Sequence, residues 1–270
     1  MGTENELPIA ANVQLVPQAS FASLMQDPSS AQFDFDMDEA VYVRIICKDE
    51  MGREGFKTAQ EARLEILSAS GRAQELAEAL GGSADEPIMV ALKQMYRLKA
   101  DKVTRYQAST ERASTILEAN IHRWATVLWE ESMSFIKVFF KTNPKKVCFS
   151  TICRTPLIYC IQYNTMVIPK MRYVRQAIVF TQTKDSRTMI LEELIDPDVQ
   201  FYKYIHNAGA TPLVPEAAVE AYDKVLFLCC TQHIQYVRTF GLAFISDYQG
   251  KSFVLVLLGV NRCHKVAEIC

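Results

Sequence analysis

The stretch PIMVALKQMYRL, at residues 87–98, carries a lysine, Lys93, directly after the aliphatic run Ile88–Leu92. The apolar run bounded by a proline predicts a β-strand. Burying a lysine beside aliphatic side chains costs free energy unless an anion or a carboxylate neutralises its charge. Two interpretations of Lys93 follow. It points to solvent from an edge strand, or it holds an anionic group such as a phosphate.

A second stretch, SDYQG at residues 246–250, contains groups that suit a bound metal and phosphate. Asp247 supplies a carboxylate and Gln249 an amide, on a tight turn that ends in Gly250. Oxygen ligands of this kind bind Mg²⁺ and nucleotide oxygens. After Gly250 the chain is apolar, and no carboxylate appears before Glu268. The pattern indicates a nucleotide-binding scaffold that lacks part of a catalytic machinery.

The bulk composition indicates a folded protein without a dominant charge. The 270 residues are 49% hydrophobic, enough for a substantial core. A formal net charge of -2 does not favour nucleic acid or an acidic membrane as a partner. The eight cysteines contain no C-x-x-C pair, and the longest apolar stretch, Phe253–Val260, is too short to cross a bilayer. With no secretory signal visible, these features predict a cytoplasmic or nuclear protein with reduced thiols.

The pattern of apolar residues predicts strands at the front of the chain and one long helix behind them. Residues 1–38 are polar with little periodicity and are predicted to form a flexible leader, with order beginning at Ala40. Two strands joined by a turn that contains Gly52 and Gly55 predict a hairpin. The same glycines could let backbone amides approach a phosphate, although hairpin glycines are common. The 3.6-residue period from Asp101 to Lys141 predicts a long amphipathic helix, broken once.

The remaining segments complete an α+β prediction. Residues 70–86 favour a short helix that ends at the Gly81–Gly82 pair, and residues 147–195 contain several short apolar runs. A second helical stretch follows over Pro215–Val237, and a short strand over Leu242–Ile245. The order is strands, long helix, strands, helix and strand, which is typical of an α+β fold.

Other polar residues have both a functional and an ordinary explanation. Glu192 and Glu193 lie in an apolar run and could accept hydrogen bonds from an adenine amine, or they could form a solvated strand edge. Asn207 could orient a phosphate or cap a loop. His233 lies on the second predicted helix, where a lone histidine is usually packed or solvent-facing rather than a metal ligand.

The order and spacing of these segments resemble the alpha-type protein kinases. These are atypical Ser/Thr kinases related to myosin heavy-chain kinase, elongation-factor kinase and the channel-kinases. The resemblance covers about residues 41–253, and residues 227–247 look especially like fungal members. The motifs that carry it are Gly55–Ala59, Val90–Lys93, Leu191–Ile195, Phe201–Tyr204 with Asn207–Gly209, and Asp247–Gly250.

The resemblance implies a two-lobed kinase-like α+β fold. A strand-rich N-lobe with the long helix would occupy about residues 39–190, and a partial C-lobe about residues 191–253. Residues 254–270 would form a divergent apolar tail, so that the chain is similar to a truncated or degenerate member of the family.

The resemblance also implies a role for each matching residue. Lys93 would contact the nucleotide phosphates, with Glu192 as an acceptor for its ammonium group. The backbone of Glu192 and Ile195 would meet adenine, and Asp247 and Gln249 would engage Mg²⁺ and phosphate. Lys57 stands where relatives often carry arginine. The implied ATP-binding set is Gly52, Gly55, Lys93, Glu192, Ile195, Asn207, Asp247 and Gln249.

Two family features are not found in the sequence. The second aspartate, to which the family assigns catalysis, would fall near Leu257, so the catalytic residue is unknown. His233 matches the first ligand of a structural zinc site, but Cys263, His264 and Cys270 lack the spacing of the other ligands. Zinc is therefore expected from the family but with an incomplete site.

These observations predict ATP and Mg²⁺ as cofactors and a protein as substrate or partner, with no nucleic acid and no membrane. Three alternatives stay open: a Ser/Thr kinase with residual activity, a pseudokinase that binds nucleotide or a partner, and a truncated product without stable function. Loss of a catalytic base lowers a rate by about 10²–10⁴-fold. We therefore expect nucleotide binding without appreciable phosphoryl transfer.

Overall fold

The computed structural model describes most of the chain in discrete stretches. The described residues are 8–27, 32–54, 56–68, 70–99, 102–142, 168–195, 200–206, 212–246, 248–251, 254–257 and 260–262.

Thirteen strands and four helices make up the described chain. A single turn of 3-10 helix lies at Met37–Glu39. The helices are α1 Phe21–Gln26, α2 Gly71–Ala79, α3 Ala108–Thr142 and α4 Val219–Arg238. The strands are β1 Ile9–Leu15, β2 Val41–Glu54, β3 Lys57–Ile66, β4 Ile88–Lys99, β5 Lys102–Arg105, β6 Arg172–Tyr173, β7 Gln176–Thr181, β8 Thr188–Glu193, β9 Tyr202–Lys203, β10 Ala243–Ile245, β11 Tyr248–Lys251, β12 Val254–Leu257 and β13 Val260–Arg262.

The chain divides into two compact units, each assembled from three stretches. The first contains residues within 1–17, 32–120 and 174–196, and the second residues within 18–31, 121–173 and 197–270. The expected lobe border near residue 190 differs from this division, because all of β8 belongs to the first unit. Residues of α3 from Ile121 onwards belong to the second unit.

The first unit is built on one seven-stranded antiparallel sheet. Its order is β3-β2-β1-β7-β8-β4-β5, and β3 also pairs with β4, so that six of the strands form a closed ring. The predicted hairpin is confirmed, since β2 and β3 pair antiparallel, but Gly52 lies within β2 and not in the turn. The predicted strand over 87–98 is confirmed as β4.

Successive side chains along each strand point to opposite faces of the sheet, and each face carries its own apolar cluster in this unit. Val90 and Leu92 of β4 belong to a cluster that also contains buried residues of α2. The side chains of Met95 on β4 and Ile190 on β8 lie on the other face of the sheet. They belong to a second cluster that includes Ala119 of α3. Successive strand residues point to opposite faces, so Lys93 lies on the second face, beside α3.

The prediction of a flexible leader over residues 1–38 is wrong for its described central part. β1 lies between β2 and β7 in the ring, and Ala11 and Val13 are fully buried. Ile9, Ala11, Val13 and Leu15 alternate with Ala10, Asn12 and Gln14, so the sequence does carry the two-residue period of a strand, within a short run that the prediction missed. Gln14 is buried nonetheless, and its side-chain oxygen accepts a hydrogen bond from the Asp36 backbone N–H at 2.7 Å.

The long helix is confirmed, with different bounds. It begins at Ala108, because residues 102–105 form β5, and it is a single continuous helix rather than a broken one. Leu128 is fully buried, as the apolar stripe predicted, but Leu117 is exposed. No helix within the described ranges is apolar and long enough to span a membrane.

The second unit packs α4 with a four-stranded sheet of order β6-β12-β11-β9 and the pair β10-β13. Of the two structures expected for the apolar segment that begins at Val254, a strand or a disordered tail, the strand is found in β12, which pairs antiparallel with β11 and parallel with β6. Leu255 of β12 is fully buried, so this strand is part of the core. Its apolar run is typical of a strand with neighbours on both sides. Residues 263–270 lie outside the described chain.

An aromatic cluster forms the centre of the second unit. The Trp129 ring packs edge-on against Tyr173, Phe227 and Tyr248, and its indole N–H donates to the Met171 carbonyl at 3.2 Å. The buried indole N–H therefore has its partner, as buried tryptophan usually requires.

Candidate functional site

Lys93 forms a buried ion pair in the first unit. Its ammonium Nζ lies 2.7 Å from Glu192 Oε2, and the two side chains are 11% and 5% exposed. β4 pairs with β3 on one side and β8 on the other, with Lys93 opposite Ala59 and Ile190. The edge-strand interpretation of Lys93 is therefore wrong, and the expected acceptor, Glu192, is confirmed as its partner.

Glu192 has a second partner that sequence reasoning missed. Gln176 is the first residue of β7 and lies opposite Glu192 in the sheet. Its Nε2 donates a hydrogen bond to Glu192 Oε1 at 2.8 Å. The two carboxylate oxygens thus accept from two different strands. Only the polar side chain at the start of the apolar run QAIVFT could have drawn attention to Gln176.

A second buried ion pair lies on the same sheet face. Lys57 of β3 contacts Glu118 of α3, and both side chains are buried. Lys57 lies opposite Met95, and Ala59 lies opposite Lys93, so the two lysines are diagonal neighbours on adjacent strands. This face therefore carries two neutralised lysines. Each lysine is buried together with a glutamate, as burial of a charge requires.

In the second unit, Gln249 is a buried polar residue with an unsatisfied donor. It lies on β11, opposite Lys203 of β9 and Val256 of β12. Its Nε2 has no hydrogen-bond partner within the described part of the chain. An unpaired buried donor costs about 1–3 kcal/mol, and a phosphate oxygen is the kind of acceptor that would satisfy it. Asp247, its predicted companion, lies outside the described residues.

Gly250 follows Gln249 at a point of close backbone approach. It has φ of 156° and lies opposite Leu255 across β11 and β12. A Cβ at this position would lie 2.1 Å from the Val254 carbonyl oxygen, which is shorter than any allowed contact. Only glycine therefore permits the pairing of these two strands at this point.

The other predicted nucleotide-binding residues are only partly described. Gly52 is exposed on β2 opposite Ala59, and a Cβ there would meet no atom within 4 Å. The structure therefore shows no steric need for glycine at this position. Ile195 is half-buried and follows the end of β8. Gly55 and Asn207 lie outside the described residues.

No metal-binding group is found among the residues that the structure describes. No three or more His, Cys, Asp or Glu side chains there could hold a metal ion together. His233 is half-buried on α4, without such a group around it in the described chain. The other candidates, Cys263, His264 and Cys270, lie outside the described residues. The described structure gives no support for zinc at His233.

Titratable groups of α4 and β11 are held in their neutral forms. Burial raises the pKa of the Cys229 thiol to about 11, so this thiol is protonated at neutral pH and is a poor nucleophile. Burial also raises the pKa of Tyr248 well above its usual range. The Tyr248 hydroxyl lies 3.0 Å from Thr231 Oγ1 and accepts from Gln235 Nε2 at 2.9 Å. These groups are structural rather than catalytic.

Comparison with known proteins agrees with this architecture. The model of the alpha-kinase family matches residues 131–261, which extends the similarity beyond the expected limit at residue 253. The structure of a novel alpha kinase from Entamoeba histolytica is similar in fold, with a TM-score of 0.53 and 13% sequence identity. That match covers 95% of this chain and 78% of the Entamoeba chain. No curated protein gave a significant match. The kinase-like α+β fold is thus confirmed.

Proposed function

We propose that this chain is an alpha-kinase family member, as the match over residues 131–261 indicates, and that it binds ATP with Mg²⁺ and transfers little or no phosphate to protein serine or threonine. The observation that carries the proposal is the Lys93–Glu192 ion pair in the interior of the first unit's sheet. A lysine whose ammonium group is held by a carboxylate in this way has a fixed orientation, which suits it to bind phosphate oxygens.

Gln249 is a separate reason to expect an anionic ligand. Its buried Nε2 lacks a partner within the described residues, and a nucleotide phosphate would provide an acceptor. Asp247 and the Gln249 amide oxygen are the ligand types that Mg²⁺ prefers. When bound, Mg²⁺ would neutralise phosphate charge. The contribution of the chain would be to present these oxygens, with Gln249 held on β11.

The expected weakness of phosphoryl transfer rests on the segment after Gly250. No Asp or Glu lies between Gly250 and Glu268. The segment Val254–Leu257 is a strand with pairing partners on both sides. A general base must come within hydrogen-bonding reach of the substrate hydroxyl, and apolar strand residues provide no such group. Its absence lowers the rate by about 10²–10⁴-fold.

Two measurements on the 270-residue chain test the proposal. ATP with Mg²⁺ should raise the melting temperature, because a ligand that binds only the folded state stabilises it, by about 2.7 kcal/mol at a hundred times Kd. Labelled ATP with a generic basic protein substrate should give no incorporation above that of Asp247→Ala. Absence of any thermal shift would overturn the binding proposal.

The family match favours a second candidate, an active Ser/Thr protein kinase. The same phosphate-transfer assay distinguishes the two. Robust incorporation into serine or threonine that Asp247→Ala abolishes would establish the kinase. It would also place the catalytic group at a residue other than the expected aspartate.

A further inference from the structure

We propose that Gln176 is a positioning residue for nucleotide binding. It holds the Glu192 carboxylate in an orientation that lets Lys93 bind a phosphate. The proposal rests on the proposed function, because it assigns a role within the same site. Gln176 is buried on β7, its Nε2 donates to Glu192 Oε1 at 2.8 Å, and Glu192 Oε2 pairs with Lys93 at 2.7 Å.

The chemistry of the contact determines the orientation of the Gln176 amide. An ionised carboxylate only accepts hydrogen bonds, so the amide must present its NH₂ group to Glu192 and direct its carbonyl oxygen elsewhere. That oxygen, Oε1, is buried and has no partner among the described residues. An apolar side chain would avoid this unsatisfied acceptor, and the neighbouring positions Val16, Ile178 and Ile190 are apolar. Packing alone therefore does not explain a glutamine here.

The hydrogen bond from Gln176 to one oxygen of Glu192 determines which oxygen Lys93 contacts. With Oε1 bound to Gln176, Lys93 meets the other oxygen, Oε2. If Gln176 did not bind Oε1, both carboxylate oxygens would compete for the ammonium. Lys93 would then bind Glu192 more tightly and a phosphate more weakly.

The charged groups that face Gln176 are few within the described chain. Glu192 lies opposite on β8, and Lys93 follows one strand further on β4. On the other side of β7, the backbone N–H of Val16 donates to the Gln176 carbonyl. Glu193 accepts from the Arg175 backbone N–H at 3.0 Å, and it points to the opposite sheet face. A carboxylate placed at position 176 would therefore interact mainly with Glu192.

Two substitutions separate a positioning role from a packing role. Gln176→Met keeps the volume but removes the donor. Gln176→Glu keeps a donor only while it is protonated, and two adjacent buried carboxylates raise the pKa of the pair. The affinity for ATP with Mg²⁺ is measured by calorimetry for each variant and the wild type between about pH 5.5 and 9. Dividing the affinity of each variant by the wild-type affinity at the same pH removes the effect of the titration of ATP itself.

We expect Gln176→Met to bind ATP about tenfold more weakly at every pH, because the released carboxylate oxygen would hold the Lys93 ammonium more tightly. Gln176→Glu should bind like the wild type at the acid end and about tenfold more weakly at the alkaline end. Gln14→Glu is the matched control, since Gln14 is a buried glutamine on β1 whose side-chain oxygen accepts from the Asp36 backbone N–H. Its affinity ratio should not change with pH.

The outcomes are distinguishable. Affinity that is equal in the wild type and both folded Gln176 variants overturns the positioning role but leaves ATP binding intact. A loss in Gln176→Glu that is constant with pH also overturns it, because a packing defect would not titrate. If the wild type itself does not bind ATP, the proposed function and this inference both fail. Circular dichroism and melting temperatures show that each variant is folded, and Gln176→Glu tests the role even if Gln176→Met is unstable.

Discussion

Lys93 of β4 and Glu192 of β8 form an ion pair although they do not face each other across the strands. Glu192 lies opposite Ala91, and Lys93 lies opposite Ile190, so the pair is diagonal on one sheet face. Diagonal neighbours are within reach of long side chains. β4 and β8 each have a pairing strand on both sides, and the two side chains are buried. Opposite charges attract each other more strongly in such an environment than in water, which would favour a bound phosphate.

The first prediction concerns the lysine. Lys93→Met should abolish the rise in melting temperature that ATP with Mg²⁺ produces. It should also destabilise the apo protein by about 3–5 kcal/mol, because Glu192 would be left buried without its cation. The double variant Lys93→Met/Glu192→Gln should recover much of that stability without recovering the ATP shift. Thermal and chemical unfolding with and without ATP measure both effects.

The control for this experiment is an exposed ion pair in the same unit. Lys48 and Glu61 pair at 2.8 Å on the surface of β2 and β3. Exposed pairs contribute about 0–1 kcal/mol, so Lys48→Met should keep both the stability and the ATP shift. A persistent ATP shift in Lys93→Met would show that the phosphate role is wrongly assigned.

The second prediction concerns Gln249. Gln249→Met replaces a buried, unsatisfied donor by an apolar side chain of similar volume. The apo protein should therefore be equally or more stable, by up to about 1–3 kcal/mol, while the affinity for ATP with Mg²⁺ decreases. Unfolding by urea and calorimetric titration measure the two quantities. A clear loss of stability with unchanged affinity would contradict a ligand-binding role and indicate a structural one.

The third prediction compares two glycines. Gly250→Ala would place its Cβ against the Val254 carbonyl oxygen, so β11 and β12 would have to separate. We expect a large loss of stability, of about 3 kcal/mol or more for a steric conflict with backbone. Gly52→Ala is the matched variant, since its Cβ meets nothing within 4 Å, and its stability should stay close to the wild-type value. Equal unfolding midpoints for the two variants would show that glycine is not sterically required at position 250.

The fourth prediction concerns alkaline pH. Burial raises the pKa of Tyr204 to about 12 and that of Tyr248 still further, whereas an unfolded tyrosine ionises near about pH 10. The folded state therefore retains these protons, and their contribution to stability is complete below pH about 10 and is lost as pH rises through the folded values. The free energy of unfolding should decrease above pH about 10.

Tyr248→Phe tests the assignment. It removes one of the two titrating groups, so the alkaline decrease should become less steep in this variant. At neutral pH it should cost about 1–3 kcal/mol, because Gln235 would lose its buried acceptor. An alkaline slope identical to that of the wild type would show that other groups determine the pH dependence.

Much of the fold could be predicted from local patterns. The β2–β3 hairpin, β4, the long helix and α4 each carry a period or a turn signal within their own residues. β1 also carries a two-residue period, at Ile9, Ala11, Val13 and Leu15, but this short run lies in a mostly polar stretch and was missed. Its place was decided by pairing with β2 and β7, which lie far along the chain. The same is true of β12, whose apolar run suits a tail or a paired strand equally well.

The sequence by itself determined that Lys93 needs a neutralising partner, because burial of a charge is costly wherever the strand lies. The order of the family motifs also identified Glu192 as an acceptor for the Lys93 ammonium group. The tertiary structure alone decided that Gln176 binds the other oxygen of Glu192, and that Lys57 meets Glu118 of α3. Residues distant in sequence become neighbours through strand register and helix packing, and a one-residue shift would send these side chains to the opposite face.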